Sequence, residues 1–382
     1  MLHYLTAGES HGKALIALIE GFPAGVELSQ STIDAELRRR QGGHGRGGRQ
    51  QIESDRVEIL SGLLHGKTIG SPIALLIANK DHVIDELAEP TSPRPGHGDL
   101  AGAIKHLSAI RGVLERASAR ETAARVAAGA VARQLLAHFG IDVLGYVTAI
   151  GPISVAPPTG TIAQQRALRD RSELYTLDPS RDEELKSLID QIRHRGDTIG
   201  GLIEVRVEGV PFGLGSHTQW DRKLDGRLAQ AVMSVQAIKG VEFGLGFECA
   251  RRPGSEVHDP IQYNADEADT PSLGFIRSTN NAGGIEAGMT NAQPIVVRAA
   301  MKPIATLERA LPSVNLETHR PEPATYQRSD VCAVPAASCV VENVVAFEIA
   351  RALVDKFGGD SLAEMVERYR LFQAMAKTRT GQ

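Results

Sequence analysis

Arg116-Ala117-Ser118-Ala119-Arg120-Glu121-Thr122 opens an alanine-rich run that ends at Phe139-Gly140. Ala123, Ala127, Ala130, Val131 and Leu135 recur at steps of three and four, the spacing of one helical face. Ser118 with Glu121 three residues on predicts a capping box, and Gly140 predicts the stop. Alanine on nearly every turn lets other backbone come close, so this helix is expected in the interior. Arg116 and Arg120 fall at its predicted start, where unpaired N–H groups and the helix dipole favour an anion. The loop Arg94-Pro95-Gly96-His97-Gly98-Asp99 precedes it. Arginines at the tip of a rigid helix, fed by a loop carrying a histidine, suit a site that holds phosphate and moves a proton.

The same helix ending occurs twice. Ala132-Arg133-Gln134-Leu135-Leu136-Ala137-His138-Phe139-Gly140 has a counterpart in Ala350-Arg351-Ala352-Leu353-Val354-Asp355-Lys356-Phe357-Gly358. Ile19-Glu20-Gly21-Phe22-Pro23-Ala24-Gly25 matches Val207-Glu208-Gly209-Val210-Pro211-Phe212-Gly213, and Pro72-Ile73 and Pro294-Ile295 each open an aliphatic strand. Three matches in one order predict a duplicated unit of strands plus a long helix. The expected fold is α+β, a single body over 1–382 with internal halves at about 1–150 and 200–360. Strands are predicted at Leu2–Thr6, Ala14–Glu20, Val57–Leu60, Ile73–Ala78 and Ile141–Ile150. Ser29 should cap a helix carrying Ile33 and Leu37 that ends near Gly42. Residues 160–197 read as an insertion of two surface helices, with Leu185, Leu188, Ile189 and Ile192 on one face.

Composition narrows the class. The chain has 382 residues, 42% hydrophobic and 23% charged, as in ordinary globular enzymes. Aromatics are 4% and glycines number 39, so the core must be aliphatic with many special backbone positions. Net charge is −4, which argues against a general polyanion binder. Cys249, Cys332 and Cys339 lack metal-ligand spacing, which suggests a reducing, cytoplasmic setting. The start shows neither a basic region nor a long apolar run, so no signal peptide is read there.

Gly43, Gly45 and Gly48 spell G-x-G-x-x-G. A dinucleotide fingerprint must follow a strand and open a helix. Here the glycines follow a helix, so a dehydrogenase reading fails. What remains is five arginines (Arg38, Arg39, Arg40, Arg46, Arg49) among five glycines, with no acid from Gln41 to Gln51. Arginine suits bidentate grip of phosphate or carboxylate, and the segment reads as an anion-binding lid. An RNA-binding segment would need aromatic platforms among the basic residues, and none lies there. Gly8-Glu9-Ser10-His11-Gly12 puts a histidine on a glycine-flanked turn; His11 and His97 are acid–base candidates. His44, His65 and His106 read as structural or surface residues. Asn280–Gly288 is another glycine-rich loop, Lys302 is a phosphate ligand candidate, and Asp330 stands beside Arg328 as an ion-pair partner or base.

Together these motifs resemble the chorismate synthase family. The resemblance runs over Gly8–Gly12, Arg38–Arg49, Arg94–His97, Arg116–Thr122, Ser234–Gly240, Gly283–Asn291, Lys302–Thr306 and Arg328–Asp330. It implies a duplicated β-α-β sandwich, usually a homotetramer, that removes phosphate from 5-enolpyruvylshikimate 3-phosphate with reduced FMN and no net redox change. By the resemblance, His11 holds the reduced flavin in its productive protonation state, His97 is general acid toward the leaving phosphate, and Asp330 assists deprotonation at flavin N5. Arg40, Arg46 and Arg94 would clamp the substrate's anionic groups, and Arg40 and Arg46 would meet NADP in some relatives. Flavin contacts would come from Arg116, Ala117, Ser118, Gln236, Ala237, Ala287, Lys302, Pro303, Ile304, Ala305, Thr306 and Arg328. The chain departs from the family pattern at Gly98, commonly alanine, at His106, commonly tyrosine, and at Ala287, commonly glycine.

Overall fold

A computed structural model describes residues 1–47, 54–326 and 329–381. Strand β1 (His3–Ala7) pairs antiparallel with β2 (Ala14–Glu20), Leu5 opposite Leu18. Along β2, Leu15, Ala17 and Ile19 are buried while Ile16 and Leu18 face outward, the alternation expected of a sheet packed on one side. Next come β3 (Val57–Ile59), the short hairpin strands β4 (Leu63–Leu64) and β5 (Lys67–Thr68), and β6 (Ile73–Ala78). The first sheet has the order β1-β2-β6-β3. Helix α1 (Gln30–Gln41) starts at Ser29, whose hydroxyl accepts from Thr32 N, and buries Ile33 and Leu37.

Helices α2 (Asp99–His106), α3 (Ile110–Ala117) and α4 (Thr122–Ala137) follow. The second sheet contains β7 (Asp142–Ile150), β8 (Ile153–Ser154), β9 (Gly201–Glu208), β11 (Ile238–Phe243) and β16 (Ile295–Met301). Its order is β11-β16-β9-β7-β8, so β7-β9-β16-β11 repeats the antiparallel order of the first sheet. Around it lie β10 (Phe212–Gly215), α7 (Leu224–Met233), β12 (Ile261–Tyr263), β13 (Phe275–Arg277), β14 (Ile285–Glu286) and β15 (Met289–Asn291). The C-terminal helices are α8 (Val334–Phe357) and α9 (Leu362–Arg379).

One hydrogen-bond pattern occurs in both sequence-matched segments. The Thr68 hydroxyl donates to Pro23 O (2.6 Å) and accepts from Val26 N (2.9 Å). The Thr290 hydroxyl donates to Pro211 O (2.5 Å) and accepts from Leu214 N (2.9 Å). The core lies in the middle layer. Helix α4 packs on β2 and β6, α8 packs on β7 and β9, and the two helices pack on each other. Their backbones approach closely where a Cβ added to Gly129 would stand 2.3 Å from Asn343 O.

Two local expectations change. The long helix begins at Thr122, and Ser118 instead caps the single turn Ala119–Glu121, accepting from Arg120 N (3.2 Å). Glu121 does not close a capping box; its carboxylate takes the Thr6 hydroxyl (2.7 Å) and Arg125 Nε (2.9 Å). A charge-assisted bond from arginine outcompetes a neutral backbone N–H. Arg116 accordingly belongs to the last turn of α3, and Arg120 to the capped turn. The insertion forms α5 (Ile162–Arg169) and α6 (Asp182–His194), but it is not only surface. Arg169 reaches inward to donate to the fully buried Glu342 (3.1 Å).

Candidate active site

The segment before His97 is held from outside. Ser313 Oγ donates to Pro93 O (2.6 Å), and Ser92 Oγ donates to Pro323 O (2.9 Å). Arg94 is then gripped from within. Its backbone N–H and Nε donate to Asp99 Oδ2 (3.0 and 2.8 Å), Nη2 to Asp99 Oδ1 (3.0 Å), and Nη1 to Thr306 Oγ1 (2.8 Å). His97 Nδ1 lies 2.5 Å from Asp99 Oδ1 and 3.1 Å from Arg94 Nη2. Burial pushes the Asp99 carboxyl up, but bonds from His97 and Arg94 outweigh it and hold it well below the usual carboxylate range. An ionised carboxylate only accepts, so Nδ1 carries the proton and Arg94 merely passes the ring. The loop's glycine permits a close approach: Gly96 has φ +76°, and an added Cβ would be 3.9 Å from both Lys302 Nζ and Ala305 Cβ.

Lys302 through Thr306 leave the end of β16. Lys302 N donates to Ala237 O (2.9 Å), and Thr198 Oγ1 donates to Ile304 O (2.7 Å). Burial and the nearby Lys239 charge both lower the Lys302 pKa. Lys302 has no carboxylate partner among the described residues, so this corner calls for an anion. Ala237 holds an uncommon φ of +66° for a residue with a Cβ. Its neighbour Gln236 donates to Glu121 Oε2 (3.2 Å), while Gln236 Oε1 is buried with no partner among the described residues. Arg116 donates to Thr6 O (2.8 Å) and Gly8 O (3.0 Å). Motifs remote in the chain therefore meet: Arg94 and Gly96 against Lys302–Thr306, and Gln236 against Glu121.

The first histidine, in the loop between β1 and β2, packs against α3. Ser10 N donates to Glu115 O (2.9 Å), His11 N to Glu115 Oε2 (2.8 Å), and His11 Nδ1 lies 2.9 Å from Glu115 Oε1. Ser118 Oγ donates to Ser10 Oγ (3.1 Å). Burial raises the Glu115 carboxyl pKa, but the His11 bonds and the Arg111 charge outweigh it, so the net shift is downward. Asn79 Nδ2 ties this turn to the interior by donating to Gly12 O (2.7 Å). Asn79 Oδ1 in turn accepts from Arg120 Nε (2.9 Å).

The predicted clamp arginines are each paired with an acid. Arg40, 4% exposed, donates to Asp55 Oδ2 (2.7 Å), and Arg120 donates to both Asp55 oxygens (2.7 Å each). Arg46 donates to Asp330 Oδ2 (2.6 Å), and Gly47 N to Asp330 Oδ1 (2.6 Å). Arg94 has Asp99. Asp330 thus pairs with Arg46, while Arg328 and Arg49 lie outside the described residues. Burial lowers the Arg46 pKa, with the Arg40 charge adding to the effect and the Asp330 charge opposing it. A cleft of about 450 Å³ opens beside Arg46, walled by Gly43, His44, Gly45, Glu173, Tyr175 and Arg193. The insertion thus lines a cleft, a role its sequence did not suggest. His44 is held by Asp190 (3.0 Å), His65 takes φ +50° in the β4–β5 turn, and His106 is exposed at the end of α2.

Ala287 stands apart. It takes φ +50° at the exposed tip of the β14–β15 hairpin, which explains why a glycine suits the position. Among the described residues no hydrogen bond joins it to the other predicted flavin contacts. The acids Asp55, Asp99 and Glu115 were not singled out by sequence reading. Asp99 had a signal, since it stands two residues from His97. Asp55 and Glu115 had none, because nothing in the sequence pattern links them to Arg40 and Arg120 or to His11.

The family model described as chorismate synthase matches residues 2–354. Curated chorismate synthases from Geobacter metallireducens and Enterococcus faecalis are 55% and 51% identical to the chain. Each alignment covers 97% of this chain, with 98% and 99% of the relative. A solved crystal structure of chorismate synthase superposes with TM-score 0.80 at 44% identity, covering 99% of this chain and 98% of that one. No helix among the described residues is long and apolar enough to cross a membrane. The chain belongs to the chorismate synthase family.

Proposed function

We infer that the chain is a carbon–oxygen lyase that eliminates phosphate in a 1,4 sense from 5-enolpyruvylshikimate 3-phosphate, giving chorismate. Family membership over nearly the whole chain supports this over an RNA-binding role. The observation that carries the reading is the meeting of Arg94 and Gly96 with the Lys302–Thr306 loop, which brings Lys302, without a carboxylate partner among the described residues, close to the loop that carries His97.

The chemistry fits these residues. His97, with Nδ1–H committed to Asp99, can deliver a proton from Nε2 to the departing phosphate as general acid. Arg94 and Arg46, pre-aimed by Asp99 and Asp330, offer guanidinium edges to the substrate's phosphate and carboxylates. Arg40 is enclosed by Asp55 and Thr122, which supports Arg46 more than Arg40 as the group that meets substrate or a nicotinamide phosphate. Asp330, which accepts from Arg46 and from Gly47 N, would be the group that assists deprotonation at flavin N5.

The ring hydrogen to be removed is not acidic, so a side-chain base alone is inadequate. Reduced FMN, when bound, supplies electron density as phosphate leaves and recovers it with the hydrogen. The residues present fit that group. Among the described residues Gln236 Oε1 is a buried acceptor with no donor, and Lys302 is a cation with no carboxylate partner, its pKa lowered by burial and by Lys239. Arg116, Ala117, Ser118, Ala237, Pro303, Ile304, Ala305, Thr306 and Arg328 would complete the contacts. Ala287 would join only through its backbone, from the hairpin tip.

We further propose one continuous body with two like halves, the site lying along their seam. The repeated strand order and the twin threonine bridges support it. Leu5, Ile16 and Leu18 on the first sheet's outer face, and Leu202 on the second's, are 38–63% exposed. Such apolar sheet faces favour a homo-oligomer, a homotetramer by family, and the cytoplasm is the proposed location. The deciding experiment is an anaerobic phosphate-release assay with 5-enolpyruvylshikimate 3-phosphate. Phosphate should appear with dithionite-reduced FMN and not without it; release that ignores flavin would overturn the reading.

A further inference from the structure

We propose that Glu115 is a positioning residue for His11: it fixes the ring with its proton on Nδ1 and so assigns all proton exchange at this histidine to Nε2. The inference rests on the reading above only where it gives His11 a role in turnover. The tautomer itself follows from geometry.

Glu115 grips one turn of loop three times. Its carbonyl takes Ser10 N, its Oε2 takes His11 N, and both its oxygens lie within 3.0 Å of His11 Nδ1. Backbone and ring of one residue are thus bound to one carboxylate, which restrains both side-chain torsions of His11. Glu115 is itself immobile. Its side chain is 1% exposed, and Arg111 Nη1 stands 3.5 Å away while Arg111 Nη2 donates to Ala88 O (2.5 Å). Helix α3 is anchored by the next residue, Arg116, on Thr6 and Gly8. The loop that carries His11 and the helix that orients it are therefore one rigid unit.

An ionised carboxylate cannot donate, so neutral His11 must place its proton on Nδ1. This leaves Nε2 as the acceptor, and as the donor once the ring is cationic. A fixed negative charge behind the imidazole also compensates the cation when it forms, the arrangement that orients histidines in hydrolytic triads. A carboxylate-backed histidine beside the Ser118 turn suits a group that must hold a proton against an electron-rich ligand without wandering.

The test uses the full chain labelled with ¹⁵N, its His11 ring signals identified by loss in His11→Gln. Above the pH of ring titration, wild type should show Nδ1 protonated and Nε2 bare. Glu115→Ala should shift His11 toward the Nε2–H form, and Glu115→Gln, whose amide oxygen still accepts, should keep Nδ1–H. Glu115→Asp, which withdraws the carboxylate by one carbon, replaces the alanine variant if that does not fold. With reduced FMN and substrate, Glu115→Ala should lose kcat by roughly tenfold to a hundredfold, the range for partners that orient a working group. KM and FMN affinity should stay unchanged, and Glu115→Gln should recover part of the loss. A wild-type Nε2–H ring, or an Nδ1–H ring that survives Glu115→Ala or Glu115→Asp, overturns the proposal. A tautomer that shifts while kcat holds leaves Glu115 as the positioning group and removes His11 from the mechanism.

Discussion

His97 Nδ1 and Asp99 Oδ1 stand 2.5 Å apart across Gly98, at the start of α2. The same Asp99 holds Arg94 through three N–H groups. One carboxylate thus orients both the proposed acid and a proposed anion clamp. His97→Ala removes the proton donor and leaves Arg94 gripped. Its kcat should fall by roughly a hundredfold to ten-thousandfold, the usual span for general acid catalysis. Substrate and FMN dissociation constants, titrated separately, should stay near wild type. A variant with full rate would leave the leaving phosphate to another acid. Asp99→Asn should harm both functions, raising the substrate dissociation constant as well as lowering kcat.

Arg46 donates to Asp330, its carboxylate partner among the described residues, and lines the cleft beside Gly43–Gly45. Arg46→Ala should weaken substrate binding by about tenfold to a hundredfold, the loss of one or two charge-assisted bonds. FMN affinity should change little. Equal losses for both ligands would move this segment onto the flavin. Asp330→Asn should lower kcat and, by loosening its hold on Arg46, also weaken substrate binding, though less than Arg46→Ala does.

Asp55 is a structural test of the same region. It is 1% exposed and neutralises Arg40 and Arg120 together. Asp55→Ala leaves two buried guanidinium groups without their carboxylate. Breaking a buried pair from one side costs about 3–5 kcal/mol. The urea midpoint should drop accordingly, and His11 should loosen with it, because Arg120 holds Asn79 and Asn79 holds the Gly8–Gly12 turn. An unchanged midpoint would mean that water replaces the carboxylate.

The long interior helix was legible because alanine spacing is a local pattern, and Ala123, Ala127, Ala130, Val131 and Leu135 are all fully buried. The strands and the Ser29 cap were legible for the same reason. Glu121 was misread because its arginine, Arg125, competes for it one turn on, and spacing alone does not rank the two bonds. The pairing of Asp330 with Arg46, and of Glu115 with His11, was the harder loss. Asp330 lies 284 residues from Arg46, and Glu115 104 from His11. No periodic signal links partners so far apart; only tertiary packing does. The insertion misled in another way. Its amphipathic face reads as a surface helix, and that face is real, but Arg169 and Arg193 point to a buried acid and a cleft.

Acid stability follows from charges buried between α1, α4 and α8. Burial pushes the Glu36 carboxyl up, but Arg39 and Arg133, with bonds from Arg39 and Asn343, outweigh it and hold it far below its ordinary 4.5. A carboxyl whose folded pKa is depressed binds its proton later in the native state than in the unfolded one. Its stabilisation is therefore complete above about pH 4.5 and is lost as pH falls below that value. Asp99 acts in the same direction from its ordinary 3.8. Urea midpoints should hold from neutral pH down to that region and then fall steeply. Glu36→Gln should lower the midpoint at neutral pH, because Arg39 and Arg133 lose a partner, and should flatten the fall below. A variant with lower stability but an unchanged acid slope would place the titrating charge elsewhere.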